Sequence, residues 1–305
     1  MQDIATSFEA YLLTQKCVAH NTFVAYQRDI KEFICLAQHQ GINSLEALTQ
    51  DHITAYLVAL QTNQISARTI ARKISALRLF FAYIHNKYGY SCHTLELITP
   101  QIPKKLPRYC TVSEITEILQ ASSQDTTNIG KRNSVIVHLL YVSGIRVSEL
   151  VSLRISDIHF DTGILDICGK GGKMRAVPLA HEMLTLLRWY IQNIREQLLP
   201  QASIFLFATC YKRQIKPLSR HMVWKIIKNI LQKTSINKGV SPHTFRHSLA
   251  THGLEQGWDL RSLQLLLGHE NISTVEIYTH VEISHLRKSY DKKLSIKPNN
   301  SFFIR

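Results

Sequence analysis

The chain has 305 residues, 45% of them hydrophobic, and its 36 Lys+Arg outnumber 22 Asp+Glu to give a formal net charge of +14. So much apolar sequence excludes a disordered or collagen-like chain, and no apolar run reaches the length of a bilayer span. The amino terminus carries no basic and then apolar secretion signal. We therefore expect a soluble, cytoplasmic protein of two domains.

The cysteine and histidine spacings do not predict a metal site. The cysteines include no C-x-x-C pair. The most closely spaced histidines, His243 and His247, flank Arg246, whose charge would repel a metal cation. A Walker GxxxxGK[ST] loop is absent as well. We expect the protein to work without a metal, a nucleotide or any other cofactor.

The basic residues are concentrated in the second part of the chain. Residues 1–99 hold 8 Lys+Arg and 7 Asp+Glu, whereas 28 and 15 follow from residue 100 onward. Such a surplus favours a polyanionic partner, most simply nucleic acid. A solvated surface without a partner and an anionic lipid surface remain alternatives, although lipid binding usually involves a tighter basic cluster.

The first 99 residues predict an all-helical domain. Helical periodicity covers residues 3–15, 21–39, 50–61 and 66–88, with Asn21 as a candidate N-cap and Gly89 at the end of the last helix. In that last helix Arg68 and Arg72 lie opposite an apolar stripe. This basic side either faces DNA or is simply solvated. Residues 100–108 contain three prolines and are expected to be an extended linker.

Residues 109–305 predict a second, mainly helical domain with one β-hairpin. Its strands, near 163–168 and 174–179, flank a glycine-rich turn. Helices are predicted over residues 113–121, 133–142, 182–198, 220–233, 243–256, 259–267 and 273–283. Ser113 is expected to open the first of them. The helix over 220–233 places Arg220, His221 and Lys225 outward, as expected for a helix that reads DNA.

Two arginines and a histidine are candidates for binding a phosphate. Arg146 follows the end of an apolar helix and needs a partner, either Glu149 three residues later or a phosphate. His243 and Arg246 share one face of a first helical turn that begins at Pro242, where backbone N–H groups also favour an anion. Taken alone, the latter pair is more often a surface or capping feature.

Three further residues have the chemistry of proton transfer or nucleophilic attack. Lys170 lies in the hairpin turn, where it either carries a proton to a leaving oxygen or, like Lys173 and Arg175, is a solvated edge charge. His269 and Tyr278 would lie about 180° apart on one continuous helix, so they converge only if the chain turns between them. The alternative for Tyr278 is ordinary helix packing.

Together these residues resemble the tyrosine recombinase (phage integrase) family, and closely its Xer type of bacterial chromosome-dimer resolvases. The matching stretches are GIRVSEL, GKGGKMRAVPL, SPHTFRHSLATHGLEQGWDL and LQLLLGHENISTVEIYTHV. The resemblance implies a helical, SAM-like core-binding domain and a catalytic domain that close on DNA as a C-shaped clamp. Gly253 and Trp258 depart from the family pattern, and so does the tail after Tyr278.

The resemblance also implies a catalytic set and a mechanism. Tyr278 would attack a DNA phosphodiester and form a 3′-phosphotyrosyl intermediate, without metal or ATP. Lys170 would be the acid for the leaving oxygen and His243 would move the proton of the tyrosine. Arg146, Arg246 and His269 would hold the phosphate. DNA contacts would come from Arg68, Arg72, Lys173, Arg175, Arg220 and Lys225.

In the family, four protomers, commonly of two kinds, assemble on two DNA sites. The resemblance therefore implies double-stranded DNA, a second Xer-type recombinase and a septal DNA translocase, FtsK, as partners at a dif-like site. Three alternatives remain: a topoisomerase, a mobile-element integrase, and a catalytically silent DNA-binding regulator. The complete set of six catalytic residues argues against the regulator, because a DNA-binding protein needs no tyrosine with proton donors around it.

Overall fold

The computed structural model describes residues 1–44, 47–90, 100, 109–169 and 172–268. The chain divides into two compact units, Met1–Lys105 and Leu106–Arg305. Of the residues predicted to form a linker, only Pro100 lies within the described ranges. In the described part of the chain, no helix is long and apolar enough to cross a membrane.

The first unit is helical, as predicted. Its helices are α1 (Gln2–Thr14), α2 (His20–His39), α3 (Gln50–Thr62) and α4 (Ala67–Tyr88). Helix α4 has the signals that the sequence shows: the Ser66 hydroxyl accepts from Thr69 N, and Gly89 ends the helix in the left-handed region with φ +72°. The expectation for Asn21 was wrong, because α2 begins at His20 and its N-cap is Ala19.

An aromatic core and a buried ion cluster hold this unit together. Phe8 of α1 meets Phe80 of α4 edge to face, with ring centroids 5.1 Å apart. The buried Lys73 ammonium lies 2.8 Å from Glu32 and 3.5 Å from Asp29. Arg72 also bonds to Asp29, so this predicted DNA contact is half-buried and already has an anionic partner.

The second unit contains the remaining helices. They are α5 (Val112–Ser123), α6 (Asn128–Ser143), α7 (Val147–Ser152), α8 (His181–Tyr190), α9 (Glu196–Leu198), α10 (Arg220–Leu231), α11 (Pro242–Glu255) and α12 (Leu260–Leu267). A five-residue π-helical turn, Ile191–Arg195, joins α8 to α9, so the helix predicted over 182–198 changes its hydrogen-bond pattern midway. Helix α5 is capped by Thr111, which accepts from Glu114 N, and not by the predicted Ser113.

Helix α6 lies at the centre of this unit. It packs against α5, α8, α10 and α11, and its residues from Ser134 to Ser143 are all buried. It starts five residues before the predicted 133, because the Thr127 hydroxyl accepts from Gly130 N at 3.0 Å and caps an earlier turn. The buried helix therefore delivers its carboxyl end, at Gly144, into the interior.

Two small antiparallel sheets complete the fold. The predicted hairpin is present as β2 (Ile164–Cys168) and β3 (Met174–Pro178), joined by the short β1 (Ile158–His159). A second hairpin, β4 (Ala208–Tyr211) and β5 (Gln214–Pro217), was not predicted. Its two turn residues, Lys212 and Arg213, both have positive φ, which normally requires Asn or Gly. The usual sequence signal for this turn is therefore missing.

Candidate active site

Two helices end close together at glycines, and their ends form the base of the site. Gly144 ends α6 with φ +59° and Gly268 ends α12 with φ +64°. A Cβ at Gly144 would lie 2.7 Å from Leu249 Cδ2 and 2.8 Å from Leu267 Cδ2. Only glycine fits there, because both the backbone conformation and the space exclude a side chain. Backbone carbonyl groups at these two helix ends accept hydrogen bonds from Arg146 and Arg246, the two arginines predicted to bind phosphate.

Arg146 is the N-cap residue of α7, immediately after the Gly144 turn. Its Nη1 donates to Glu149 Oε1 at 2.8 Å, and its Nη2 donates to Gly268 O at 3.1 Å. The internal ion pair considered from the sequence is therefore present. The side chain nevertheless remains 32% exposed, so it is both held in place and accessible from solution.

Glu149 forms ion pairs with both Arg146 and Arg175. It is only 5% exposed and accepts from Arg146 N at 2.7 Å as well as from the Arg146 side chain. On its other side it accepts from Arg175 Nη1 at 2.9 Å and Nη2 at 2.7 Å. Burial by itself raises the pKa of Glu149, but the hydrogen bonds and charges of Arg175 and Arg146 outweigh it and hold the pKa below its ordinary value.

Arg246 lies on α11, buried beside the same two helix ends. Its Nη1 donates to Gly144 O at 2.8 Å, and its Nη2 donates to Leu267 O. Burial lowers the pKa of Arg246 to about 10, and the charges of Arg146 and Arg175 act in the same direction. At neutral pH it remains charged. Among the described residues, the site thus holds three guanidinium groups and one carboxylate, and an anion would offset this excess of positive charge.

The predicted pair His243 and Arg246 lies on the first turns of α11. Pro242 occupies the first helical position, and Ser241 N donates to Thr244 Oγ1 at 3.0 Å across the cap. His243 is exposed whereas Arg246 is buried. The neighbouring His247 is exposed too. Its pKa is lowered, mainly because part of its ring is desolvated and also because the charges of His243 and Arg246 are nearby.

Three predicted catalytic residues, Lys170, His269 and Tyr278, lie outside the described residues. Their described neighbours lie next to the arginines. A Cβ on Gly169 would be 3.7 Å from Arg175 Nη1 and 3.9 Å from Glu149 Oε1, so the hairpin turn leaves from the edge of the cluster. Gly268, whose carbonyl holds Arg146, directly precedes His269.

Four of the six predicted DNA contacts are exposed, whereas Arg72 is half-buried and Arg175 is buried. Arg68, Lys173, Arg220 and Lys225 are exposed, and on α10 the predicted apolar side faces inward. Arg175 does not belong with them: it is 5% exposed, its Nε donates to Leu266 O at 3.1 Å, and its other donors go to Glu149. Alternation along β3 places this arginine on the buried face, so its assignment as a DNA contact was wrong.

Sequence reasoning also missed Trp224 on α10. Its ring stacks against His221 with centroids 6.0 Å apart, and Lys228 Nζ lies 5.3 Å from its centroid. The i, i+3 and i, i+4 spacing of His221, Trp224 and Lys228 was the available signal. This basic and aromatic surface lies beside Arg220 and Lys225.

Gly253 and Trp258, the two residues expected to depart from the family pattern, lie next to each other. A Cβ on Gly253 would lie 3.1 Å from both Cδ2 and Cε3 of Trp258, and 3.0 Å from Leu263 Cδ2. The buried indole of Trp258 thus occupies the space that a larger residue at 253 would need.

Comparison with known proteins identifies the class to which this fold and site belong. Residues 108–285 match the phage integrase family, and residues 5–87 match the N-terminal SAM-like domain of phage integrases. The chain belongs to the phage integrase family, which comprises the tyrosine recombinases.

Its relatives are of the Xer type. Tyrosine recombinase XerD of Staphylococcus haemolyticus is 37% identical over 294 residues, 96% of this chain and 98% of that protein. XerD of Staphylococcus aureus (strain N315) gives the same identity and coverage. The chain is thus an Xer-type tyrosine recombinase, an enzyme that cuts and rejoins DNA strands and binds double-stranded DNA.

Solved structures share the fold. The XerH site-specific recombinase bound to its difH substrate, in a pre-cleavage complex, has a TM-score of 0.63 and 23% identity, covering 87% of this chain and 76% of that one. The Tn1549 transposon integrase in complex with circular intermediate DNA has a TM-score of 0.66 and 17% identity, covering 92% and 98%. Both share the predicted, mainly helical fold with its small sheets.

Proposed function

We propose that the enzyme resolves chromosome dimers by recombining DNA at a dif-like site, with Arg146 and Arg246 gripping the phosphate that is cut. The observation that carries the proposal is the arginine cluster. Arg146 and Arg246 are held by the carbonyl groups of Gly268 and Gly144. Within the part of the chain that the structure describes, Glu149 alone pairs with Arg146 and with Arg175. Fixed donors of this kind stabilise charge that develops in a transition state, by about 3–4 kcal/mol for each donor.

In the proposed reaction the Tyr278 oxygen attacks the phosphorus and the bond to the 5′ oxygen breaks. The enzyme is then linked to the 3′ phosphate, and the reverse attack by a 5′ hydroxyl of the partner strand reseals the DNA. A tyrosine with a pKa of about 10 is roughly 0.1% ionised at pH 7, so the nucleophile needs help. His243 takes its proton, Lys170 protonates the leaving 5′ oxygen, and His269 adds a hydrogen bond to the phosphate.

In this proposal both predicted domains, residues 1–99 and 109–305, contribute DNA contacts, and residues 100–108 link them. Exposed Arg220 and Lys225 on α10, Lys173 at the hairpin and Arg68 on α4 support this proposal. We include Trp224, whose exposed ring lies among basic groups on the same helix. Affinity should come mainly from phosphate contacts and should fall steeply with salt.

We further propose that the enzyme acts in the cytoplasm as a tetramer on two DNA sites. A second Xer-type recombinase would supply one pair of protomers, and the septal translocase FtsK would license cleavage. The support is the family membership and the similarity to XerD along nearly the whole chain.

A plasmid with two directly repeated dif-like sites tests this function. With a partner Xer-type recombinase present, the enzyme is expected to excise the intervening DNA, and a matched plasmid with scrambled sites should remain intact. Relaxation of both supercoiled plasmids without excision would identify a topoisomerase. Binding without any strand exchange, even with the partner and translocase added, would contradict the proposal and identify a DNA-binding regulator.

A further inference from the structure

Arg175 is buried in the second unit, Leu106–Arg305, and its side-chain nitrogens donate to Glu149 and to the Leu266 carbonyl. Two of its N–H groups bind the Glu149 carboxylate side by side, at 2.7 and 2.9 Å, and its Nε binds Leu266 O at 3.1 Å. Such a bidentate contact fixes the plane of a carboxylate as well as its position. Arg175 thus connects β3 to α7 and to the end of α12.

The carboxylate that Arg175 fixes is the one that holds Arg146. Glu149 Oε1 accepts from both Arg175 Nη1 and Arg146 Nη1, and Glu149 Oε2 accepts from both Arg175 Nη2 and Arg146 N. Rotation of the carboxylate would therefore break the contact to the Arg146 side chain or to its backbone. That guanidinium also donates to Gly268 O at 3.1 Å.

We propose that Arg175 is a positioning residue for the cleavage reaction: it fixes Glu149, and Glu149 in turn orients Arg146 toward the phosphate. This inference rests on the proposed role of Arg146 in gripping that phosphate. Arg175 itself does not touch the DNA, because its guanidinium is buried and occupied. Lysine cannot replace it, since an ammonium lacks the planar pair of donors.

Arg195 provides a matched comparison within the same unit. It is also buried, but its hydrogen bonds run to the backbone carbonyls of Ser203, Phe205 and Leu206. Those contacts stabilise a loop and involve no residue of the proposed active site. Replacement of Arg195 should therefore lower stability without changing the reactivity of folded molecules.

The test compares Arg175→Lys with Arg195→Lys in single-turnover cleavage of a nicked duplex carrying the recombination site. We expect Arg175→Lys to lower the cleavage rate constant by roughly 100-fold, the loss that a misplacement of about 1 Å can cause. DNA affinity should stay within about threefold of wild type, because it is spread over many phosphates. Arg195→Lys should reduce only the amplitude, which reports the folded fraction. An unchanged rate constant for Arg175→Lys, or an equal fall for both variants, would overturn the proposal.

A double-mutant cycle tests whether Arg175 acts through Glu149. If it does, Arg175→Lys added to Glu149→Gln should lower the rate constant by less than about threefold further, because the orienting carboxylate has already gone. Multiplicative losses would contradict the proposal. A substrate with a 5′-bridging sulfur, which needs no acid, should leave the Arg175→Lys defect in place. Full recovery on it would mean that Arg175 acts on the turn that carries Lys170.

These outcomes separate the two proposals. If wild type forms no adduct at Tyr278, the proposed function fails before Arg175 is considered. If wild type forms the adduct and Arg175→Lys cleaves at the same rate constant, the proposed function stands and only the positioning role is refuted.

Discussion

Glu149→Gln is the substitution that most directly perturbs the arginine cluster. The change keeps the size of the side chain but removes its charge and turns one acceptor into a donor. That NH2 group would face guanidinium N–H groups that now lie 2.7–2.9 Å from a carboxylate oxygen. Breaking a buried ion pair by removing one partner costs about 3–5 kcal/mol. We expect a loss of this size in the free energy of unfolding at pH 7.

The pH dependence of this loss has a defined sign. The hydrogen bonds and charges of Arg175 and Arg146 hold the pKa of Glu149 below its ordinary value in the folded protein. A carboxyl group of this kind stabilises the fold at pH values above its unfolded pKa, and the contribution is lost as the pH falls through the folded pKa. The difference in free energy of unfolding between wild type and Glu149→Gln should therefore be largest near pH 7 and shrink as the pH falls below about 4.3, the ordinary pKa of glutamate.

Urea unfolding of both proteins across this pH range is the assay, provided that the denaturant slope stays the same. Glu149→Gln should also lower the cleavage rate constant, because Arg146 loses one of its two side-chain contacts. A difference at pH 7 below about 1 kcal/mol, or one that does not change with pH, would refute the account of Glu149 as a charged anchor.

Three other predictions follow from individual residues. Gly253→Leu should destabilise the protein by about 1–3 kcal/mol through overpacking against Trp258. Adding Trp258→Leu should recover part of that loss, as measured by urea unfolding. Strictly additive effects of the two substitutions would contradict this packing account. Arg220→Ala should weaken DNA binding and reduce the slope of log affinity against log salt by about 1; an unchanged slope would remove it from the DNA surface. Lys170→Ala should cleave poorly, with recovery on a 5′-bridging phosphorothioate in single-turnover assays; failure to recover would assign the acid to another residue.

The sequence predicts most helices of this fold because their end signals are local. Ser66 and Gly89 bound α4, and Pro242 begins α11, close to the predicted limits. The start of α6 was missed because Gly130 disfavours a helix locally, although the Thr127 hydroxyl caps the earlier turn. The β4–β5 hairpin was missed because Lys212 and Arg213 adopt positive φ without the usual turn residues.

The sequence predicts candidate residues for the site, but it does not predict the hydrogen bonds that connect them. Spacing predicted that His243 and Arg246 lie on one turn, and charge predicted a partner for Arg146. No local pattern shows that Gly144 and Gly268 supply carbonyls to these arginines, because the contacts join residues more than 100 positions apart. Arg175 was misassigned because no local pattern shows that its partner is Glu149, which lies on a different element.

The most direct test of the central claim is to trap the covalent intermediate. The enzyme is incubated in EDTA with a nicked duplex carrying a dif-like site, and the SDS-resistant DNA-linked species is digested and analysed by mass spectrometry. We predict a 3′-phosphotyrosine at Tyr278 that forms on this site and not on a scrambled one, and that Tyr278→Phe abolishes while still binding DNA. An adduct on another residue, or cleavage that persists in Tyr278→Phe, would contradict the account.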